Sequence, residues 1–330
     1  MKILVRLPNW LGDMVMAVGF LDQLRRAYPE AAISVIAKKG IHTLLPFFPP
    51  LDHIFVFSKQ DNKGAGGAWR FGRSIRKQET FDLFFSLPDS FSAGIMGFAT
   101  GARRRIGFSK EGRGIFFTKT VRKPAGLHRV DEYVRLLEEG TGMPASTTAV
   151  RLTADAPRTN TIIVNINSEA SSRRLTVAKA VEMITAVRLE TGAEIILVGA
   201  PNEKPFIDSV CALLDVDGIT NRAGSTALPE LATLMASARL VLSTDSGPAH
   251  LANALGTPTV VLFGAGDETN TAPYNKANLS IVRLGKLSCE PCRKNTCVRY
   301  DIPQCLEQLN SYAIAALINK QLELHGERIL

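Results

Sequence analysis

The sequence predicts an α/β protein of two units, each built on a parallel sheet. Three observations carry that prediction. Short apolar runs alternate with helix-length amphipathic stretches along the chain. Several runs are apolar at successive positions, as strands buried on both faces require. The 330 residues exceed one ordinary core, at roughly 100–200 residues per domain. The break is expected near residues 142–160. There Gly142-Met143-Pro144-Ala145 and Asp155-Ala156-Pro157-Arg158 carry turn and linker chemistry. The units are therefore 1–150 and 151–330.

Ile3–Leu7, Ile33–Ala37, Ile54–Phe57 and Leu83–Ser86 read as strands of the first unit. Thr161–Ile166, Glu194–Val198, Arg239–Ser243, Pro258–Phe263 and Ser280–Leu284 read as strands of the second. Met14–Tyr28, Asp131–Glu139, Val177–Thr191, Pro205–Leu214, Pro229–Ala236 and Pro248–Leu255 have helical patterning. The closing helix, Leu306–Leu324, has an apolar face that could pack on either unit, the first included. The glycine-rich stretch Asp61–Gly67 lacks the spacing of a dinucleotide fingerprint or a P-loop, and reads as a mobile loop. Asp215-Val216-Asp217 precedes Gly218 and reads as a surface turn.

Composition narrows the function. Hydrophobic residues make up 45% of the chain, enough for packed cores and too many for a disordered chain. No run approaches the ~20 apolar residues of a membrane helix. The opening residues read as a strand rather than a leader, so a cytoplasmic protein without a transmembrane segment is expected. The net charge is +8, and its excess falls wholly in residues 1–150. That half has 22 basic and 13 acidic side chains, so it would steer anionic partners. No nucleic-acid module or aromatic–basic interleaving accompanies the charge, and nucleic acid is set aside. No strand is followed by a dinucleotide fingerprint, which disfavours a dehydrogenase.

In such folds ligands bind at the carboxyl ends of strands, and two strand ends carry chemistry. The first leads through Leu11-Gly12 to Asp13, at the start of the first helix. Asp13 can cap that helix, or stand as a carboxylate able to take a proton from a hydroxyl. The second is Ser243-Thr244-Asp245-Ser246-Gly247-Pro248-Ala249-His250. Here the free N–H groups of a helix start, with the Ser246 hydroxyl, suit a diphosphate. Asp245 would then face neutral sugar hydroxyls. A plain cap by Asp245 or Ser246, and a packed His250, are the bland alternatives. Arg173 and Arg174, before a helix, could neutralise a diphosphate. Glu203 could accept hydrogen bonds from a ribose diol.

Cys289, Cys292, Cys297 and Cys305 are spaced C-x2-C-x4-C-x7-C. Four thiolates could hold zinc or an iron–sulfur cluster. Reduced structural thiols or an adventitious disulfide are the alternatives.

Together these pieces resemble the family 9 glycosyltransferases, the lipopolysaccharide heptosyltransferases. The likeness rests on Leu11-Gly12-Asp13, Arg105-Ile106-Gly107-Phe108 and His128-Arg129-Val130-Asp131-Glu132-Tyr133. Its most specific part is Thr244-Asp245-Ser246-Gly247-Pro248-Ala249-His250-Leu251, followed by Ala254-Leu255-Gly256-Thr257-Pro258-Thr259. The cysteine-bearing stretch looks most like the heptosyltransferase II members. The resemblance implies a GT-B fold, two Rossmann-like domains facing a central cleft. It places the acceptor on the first domain and the nucleotide sugar on the second. It implies inverting transfer of L-glycero-D-manno-heptose from ADP-heptose to the inner core of lipopolysaccharide, beside lipid A at the inner membrane surface. No cofactor is required for such transfer. Asp13 matches the proposed base. Arg173, Glu203, Asp245, Ser246, Gly247 and His250 match donor-binding positions. Where the family usually has Lys-Arg-Trp, this chain has Arg173-Arg174-Leu175. Alternative readings are a family 9 enzyme with another donor or acceptor, a nucleotide-sugar epimerase, and a non-catalytic nucleotide-sugar or lipopolysaccharide-binding module.

Overall fold

The structure is a computed structural model that describes residues 1–110, 112–146 and 148–326. Two compact units, Met1–Leu152 and Thr153–Leu330, divide the chain.

The first unit contains β1 (Lys2–Arg6), α1 (Leu11–Ala27), β2 (Ala32–Lys38), β3 (His53–Phe57), α2 (Gly64–Gln78), β4 (Leu83–Ser86), α3 (Phe91–Ala99), β5 (Arg104–Ser109), β6 (Lys119–Arg122) and α4 (Arg129–Thr141). Its sheet has the order β3-β2-β1-β4-β5-β6, and every pairing is parallel. In the central strands β1 and β4 nearly every residue is buried, which explains their unbroken apolar runs.

The second unit contains β7 (Thr161–Asn165), α5 (Val177–Thr191), β8 (Glu194–Leu197), α6 (Lys204–Cys211), β9 (Ile219–Asn221), α7 (Leu228–Ser237), β10 (Leu240–Thr244), α8 (Gly247–Ala254), β11 (Thr259–Phe263), α9 (Glu268–Thr271), β12 (Leu279–Arg283), α10 (Gln304–Glu307) and α11 (Ser311–Gly326). Its sheet order is β12-β11-β10-β7-β8-β9, again all parallel. Both sheets thus follow the doubly wound order, in which the direction of strand succession reverses beside the first strand of the unit. The crevices fall between the ends of β1 and β4, and of β7 and β10. Such switch points are where these folds bind ligands.

Several elements differ from the sequence reading. Gly64–Gly67, expected as a mobile loop, instead opens α2. Gly67 is required there, because a Cβ would lie 2.2 Å from the Asn62 carbonyl carbon. Helix α3 and the short strands β5, β6 and β9 are additional. The closing helix is two, α10 and α11, broken at 308–310. Leu309, Ile314 and Ile318 join the core of the second unit together with Met183 and Val187 of α5. No helix among the described residues is long and apolar enough to cross a membrane.

Candidate active site

In the first unit the β1 end feeds a short loop and then α1. Arg6, the last residue of β1, is 2% exposed. Its guanidinium donates to the carbonyls of Leu7 and Ile36 and to Asn9 Oδ1. This buried fork fixes the Leu7–Trp10 turn, although burial lowers the Arg6 pKa to about 10. Sequence reading gave Arg6 no role.

Asp13 is not the cap of α1. The helix begins at Leu11, with Trp10 as N-cap and no side-chain capping bond. Asp13 lies inside the first turn, where the helix dipole favours its charge. Its Oδ1 stands 3.6 Å from Nη1 of Arg129, which opens α4. Arg129 Nε is 3.0 Å from Glu132. Lys123 is 3.3 Å from Glu132 and 2.9 Å from Asp89. Asp89, following β4, also pairs at 2.9 Å with the buried Arg113. The alternating charges form one chain across the β1–β4 crevice. Burial pushes the Asp13 carboxyl above its ordinary value, while Arg129 and Lys123 pull it back. Burial, then the charge of Asp13, push the neighbouring Tyr133 hydroxyl well above 10.

Burial and the Arg129 cation thus act in opposite directions on the Asp13 carboxyl. Removing that cation in Arg129→Met should move the acidic limb of kcat/KM to higher pH. The pair is a quarter exposed on both sides, so it contributes at most about 1 kcal/mol. Activity on the acidic limb should fall by no more than about fivefold, and the loss should shrink as pH rises. A pH-independent loss would mean that Arg129 does not tune Asp13.

Arg103, Arg104 and Arg105 do not present one basic face. Arg105 donates to the carbonyls of Phe116 and Ala102, and Arg104 to that of Gly140. Arg103 is exposed near Asp82.

In the second unit the β10 end and the loop after β7 meet at the switch point. Asp245 is 4% exposed, and its Oδ2 lies 3.2 Å from Arg173 Nη1. Its carboxylate rests against the turn after β11. A Cβ on Gly266 would fall 1.8 Å from Oδ2, so only glycine fits. Arg283, at the end of β12, holds that turn by donating to the carbonyls of Gly264 and Gly266. Burial raises the Asp245 pKa to about 6, against the opposing charges of Arg173 and Arg283.

Neither Asp245 nor Ser246 caps α8. Ser246 occupies the N-cap position without a capping bond. Its hydroxyl instead donates to Thr244 O and accepts from Asn165 Nδ2 at 2.9 Å. The opening turn of α8, Gly247 included, is thus left without a side-chain cap, and an anion can take that role. His250 is buried one turn further on.

Glu203 reaches this cluster through Asn167, whose Nδ2 donates to Val198 O and Glu203 Oε2. Glu203 also accepts from the Ala200 N–H at 2.8 Å. Asn167 Oδ1 and Arg173 Nε are buried without a hydrogen-bond partner in the structure. Such groups are normally satisfied by water or ligand. Arg174 turns elsewhere, with its guanidinium 5.1 Å from the Phe206 ring centre. Leu175 enters the core. The structure therefore brings Arg173, Asp245, Ser246 and Glu203 to one crevice, with Gly247 and His250 on the adjoining helix. Asn165, Asn167, Gly266 and Arg283 are the parts that sequence reading missed.

Two doubly wound units, one with an acid at a helix start and the other with an uncapped helix start beside an arginine, fit a glycosyltransferase of the GT-B fold. The glycosyltransferase family 9 (heptosyltransferase) model matches residues 68–302, and the chain belongs to that family. It is 28% identical over 283 residues to the lipopolysaccharide core heptosyltransferase OpsX of Haemophilus influenzae, covering 80% of this chain and 79% of that protein. Identity to lipopolysaccharide heptosyltransferase 2 of Escherichia coli K12 is 25% over 311 residues, with coverages of 86% and 88%. The fold matches the solved E. coli ADP-heptose lps heptosyltransferase II with a TM-score of 0.84 at 22% identity, covering 99% of this chain and all of that one.

Proposed function

We propose that the chain transfers L-glycero-D-manno-heptose from ADP-heptose to the inner core of lipopolysaccharide, inverting the anomeric centre. The observation that carries the donor reading is the β7–β10 switch point. Its buried acceptor on Asn167 and its donor on Arg173 lack partners, next to a helix start that no side chain caps. Arg173 and the α8 N–H groups suit the diphosphate, and Glu203 suits the ribose. Asp245 faces the sugar hydroxyls.

An acceptor hydroxyl is a weak nucleophile at neutral pH, so Asp13 takes its proton as the new bond forms. The C–O bond to ADP breaks in the same displacement, and the bonding pair leaves with the diphosphate. Arg173 and the start of α8 stabilise that growing charge. A single displacement inverts the carbon without a covalent enzyme intermediate, and no cofactor takes part. The first unit, with its basic excess, binds the phosphorylated acceptor. The enzyme then works at the cytoplasmic face of the inner membrane, as a peripheral protein.

A panel of nucleotide sugars tested for protection against thermal unfolding examines the donor assignment. ADP-heptose should raise the unfolding temperature more than UDP-sugars at equal concentration, in proportion to the logarithm of concentration over Kd. Equal or greater protection by a UDP-sugar would reject it.

A further inference from the structure

The twenty residues between β12 and α10, 284–303, form neither helix nor strand. None of them is buried, and Val298, Tyr300 and Ile302 are exposed. Loops beyond about 12–15 residues without structure of their own are uncommon in compact domains. Hydrophobic burial holds the start of this one, where Leu284 and Leu287 pack against the core of the second unit. Its half-buried residues include Cys289, Cys292 and Cys297. These three, with the buried Cys305 of α10, line one small, partly open void of about 20 Å³.

The backbone is shaped around that void. Arg293, directly after the Cys289-x2-Cys292 pair, has a left-handed φ of 57°. A non-glycine residue seldom adopts that conformation unless its surroundings demand it. Its N–H donates to Ala265 O at 2.7 Å, and its guanidinium pairs with Asp267. The chain reverses there and returns to the void at Cys297. As placed, no three His, Cys, Asp or Glu side chains among the described residues already form a metal-holding group. Rotation about χ1 carries a cysteine sulfur between staggered positions, and the void is where the four could converge.

We propose that Cys289, Cys292, Cys297 and Cys305 bind one transition-metal ion as a tetrahedral tetrathiolate, zinc by default, that cross-links this segment to α10. Zinc suits four thiolates without redox or geometric demands. Binding releases the thiol protons to solvent. The resulting net −2 charge is offset nearby by Lys286, Arg293, Lys294 and Arg299.

The segment also buttresses the donor site. Ser172 donates from its N–H to Asn295 O at 3.2 Å and from its hydroxyl to Lys294 O. The next residue, Arg173, faces Asp245. Glu290, between the first two cysteines, lies 3.5 Å from Arg283, which shapes the turn against Asp245.

The test is elemental analysis of the full chain, purified under reducing conditions without chelator. One tightly held zinc or iron ion per chain supports the proposal. Cys292→Ser and Cys297→Ser should lose it, whereas Cys211→Ser, in α6, should keep it. Should the serine variants fail to fold, the wild-type chain decides. Chelation should lower its unfolding temperature and added Zn2+ should restore it, while Co2+ should give the visible spectrum of a tetrahedral thiolate site. A chain that carries no stoichiometric ion and is indifferent to added Zn2+ overturns the proposal. So does a Cys–Cys disulfide trapped by alkylation during lysis. Ion content is independent of the donor assigned above, so either conclusion can fail without the other.

Discussion

Asp13→Asn should reduce heptose transfer by about 10²–10⁴-fold, the range that one positioned general base contributes. The exchange keeps size and shape but removes the lone pair that takes the proton. Donor binding should hardly change, because Arg173, Glu203 and the α8 start belong to the other unit. Calorimetric titration of the variant with ADP-heptose checks that half of the expectation, and steady-state kinetics the other. Folding should also survive. Asp13 caps nothing, and its burial already disfavours the charge. Near-normal turnover would remove Asp13 from the mechanism. Lost donor affinity would show that the exchange disturbs more than the base.

Asp245→Asn should separate stability from function. The carboxyl is almost wholly buried, and its pKa rises from 3.8 to about 6 through desolvation. The folded state therefore holds its proton more tightly than the unfolded chain does. Stability from this group is fullest below pH 4 and declines as pH climbs through 6. By pH 8 the penalty amounts to roughly 3 kcal/mol. The neutral amide escapes it. The variant should unfold several degrees higher than wild type at pH 8, with the gap closing towards pH 4. That penalty already includes the opposing pull of Arg173 and Arg283 on the carboxylate. Donor binding should weaken sharply, because the amide offers one acceptor oxygen where the carboxylate offers two. Thermal melts across pH, with and without ADP-heptose, test both parts. A variant less stable than wild type at pH 8 would mean that the buried carboxylate carries no net penalty in the folded chain.

Most of the sheet order's raw material was legible in the sequence, because central parallel strands must be apolar on both faces. Strands β5 and β9 were hidden by their polar residues. Arg104 and Arg105 lead β5, and β9 is a short edge segment. Helices α2 and α3 were hidden by glycine, which helix propensity counts against. Their packing requires it: a Cβ on Gly72 would meet Met96 O at 2.4 Å, and one on Gly97 would meet the Phe84 ring at 2.2 Å. Close approach selected the residues that make these helices hard to see.

The site divides similarly. Asp13, Asp245 and Ser246 could be found because each follows a strand and opens a helix, which is a local pattern. Arg129, Arg6, Asn167, Gly266 and Arg283 act through partners distant in sequence, and no spacing rule finds them. The capping alternative fails at both strand ends for one reason. Local propensity favours Asp13, Asp245 or Ser246 as caps, but the tertiary contacts of Arg129, Arg173 and Asn165 engage those side chains elsewhere.

The repeated strand order means that each sheet carries its chemistry on its own pair of neighbouring strands. A substitution beside β1 or β4 should therefore leave the β7–β10 crevice intact, so the two halves of the chain can be altered one at a time, each with its own readout.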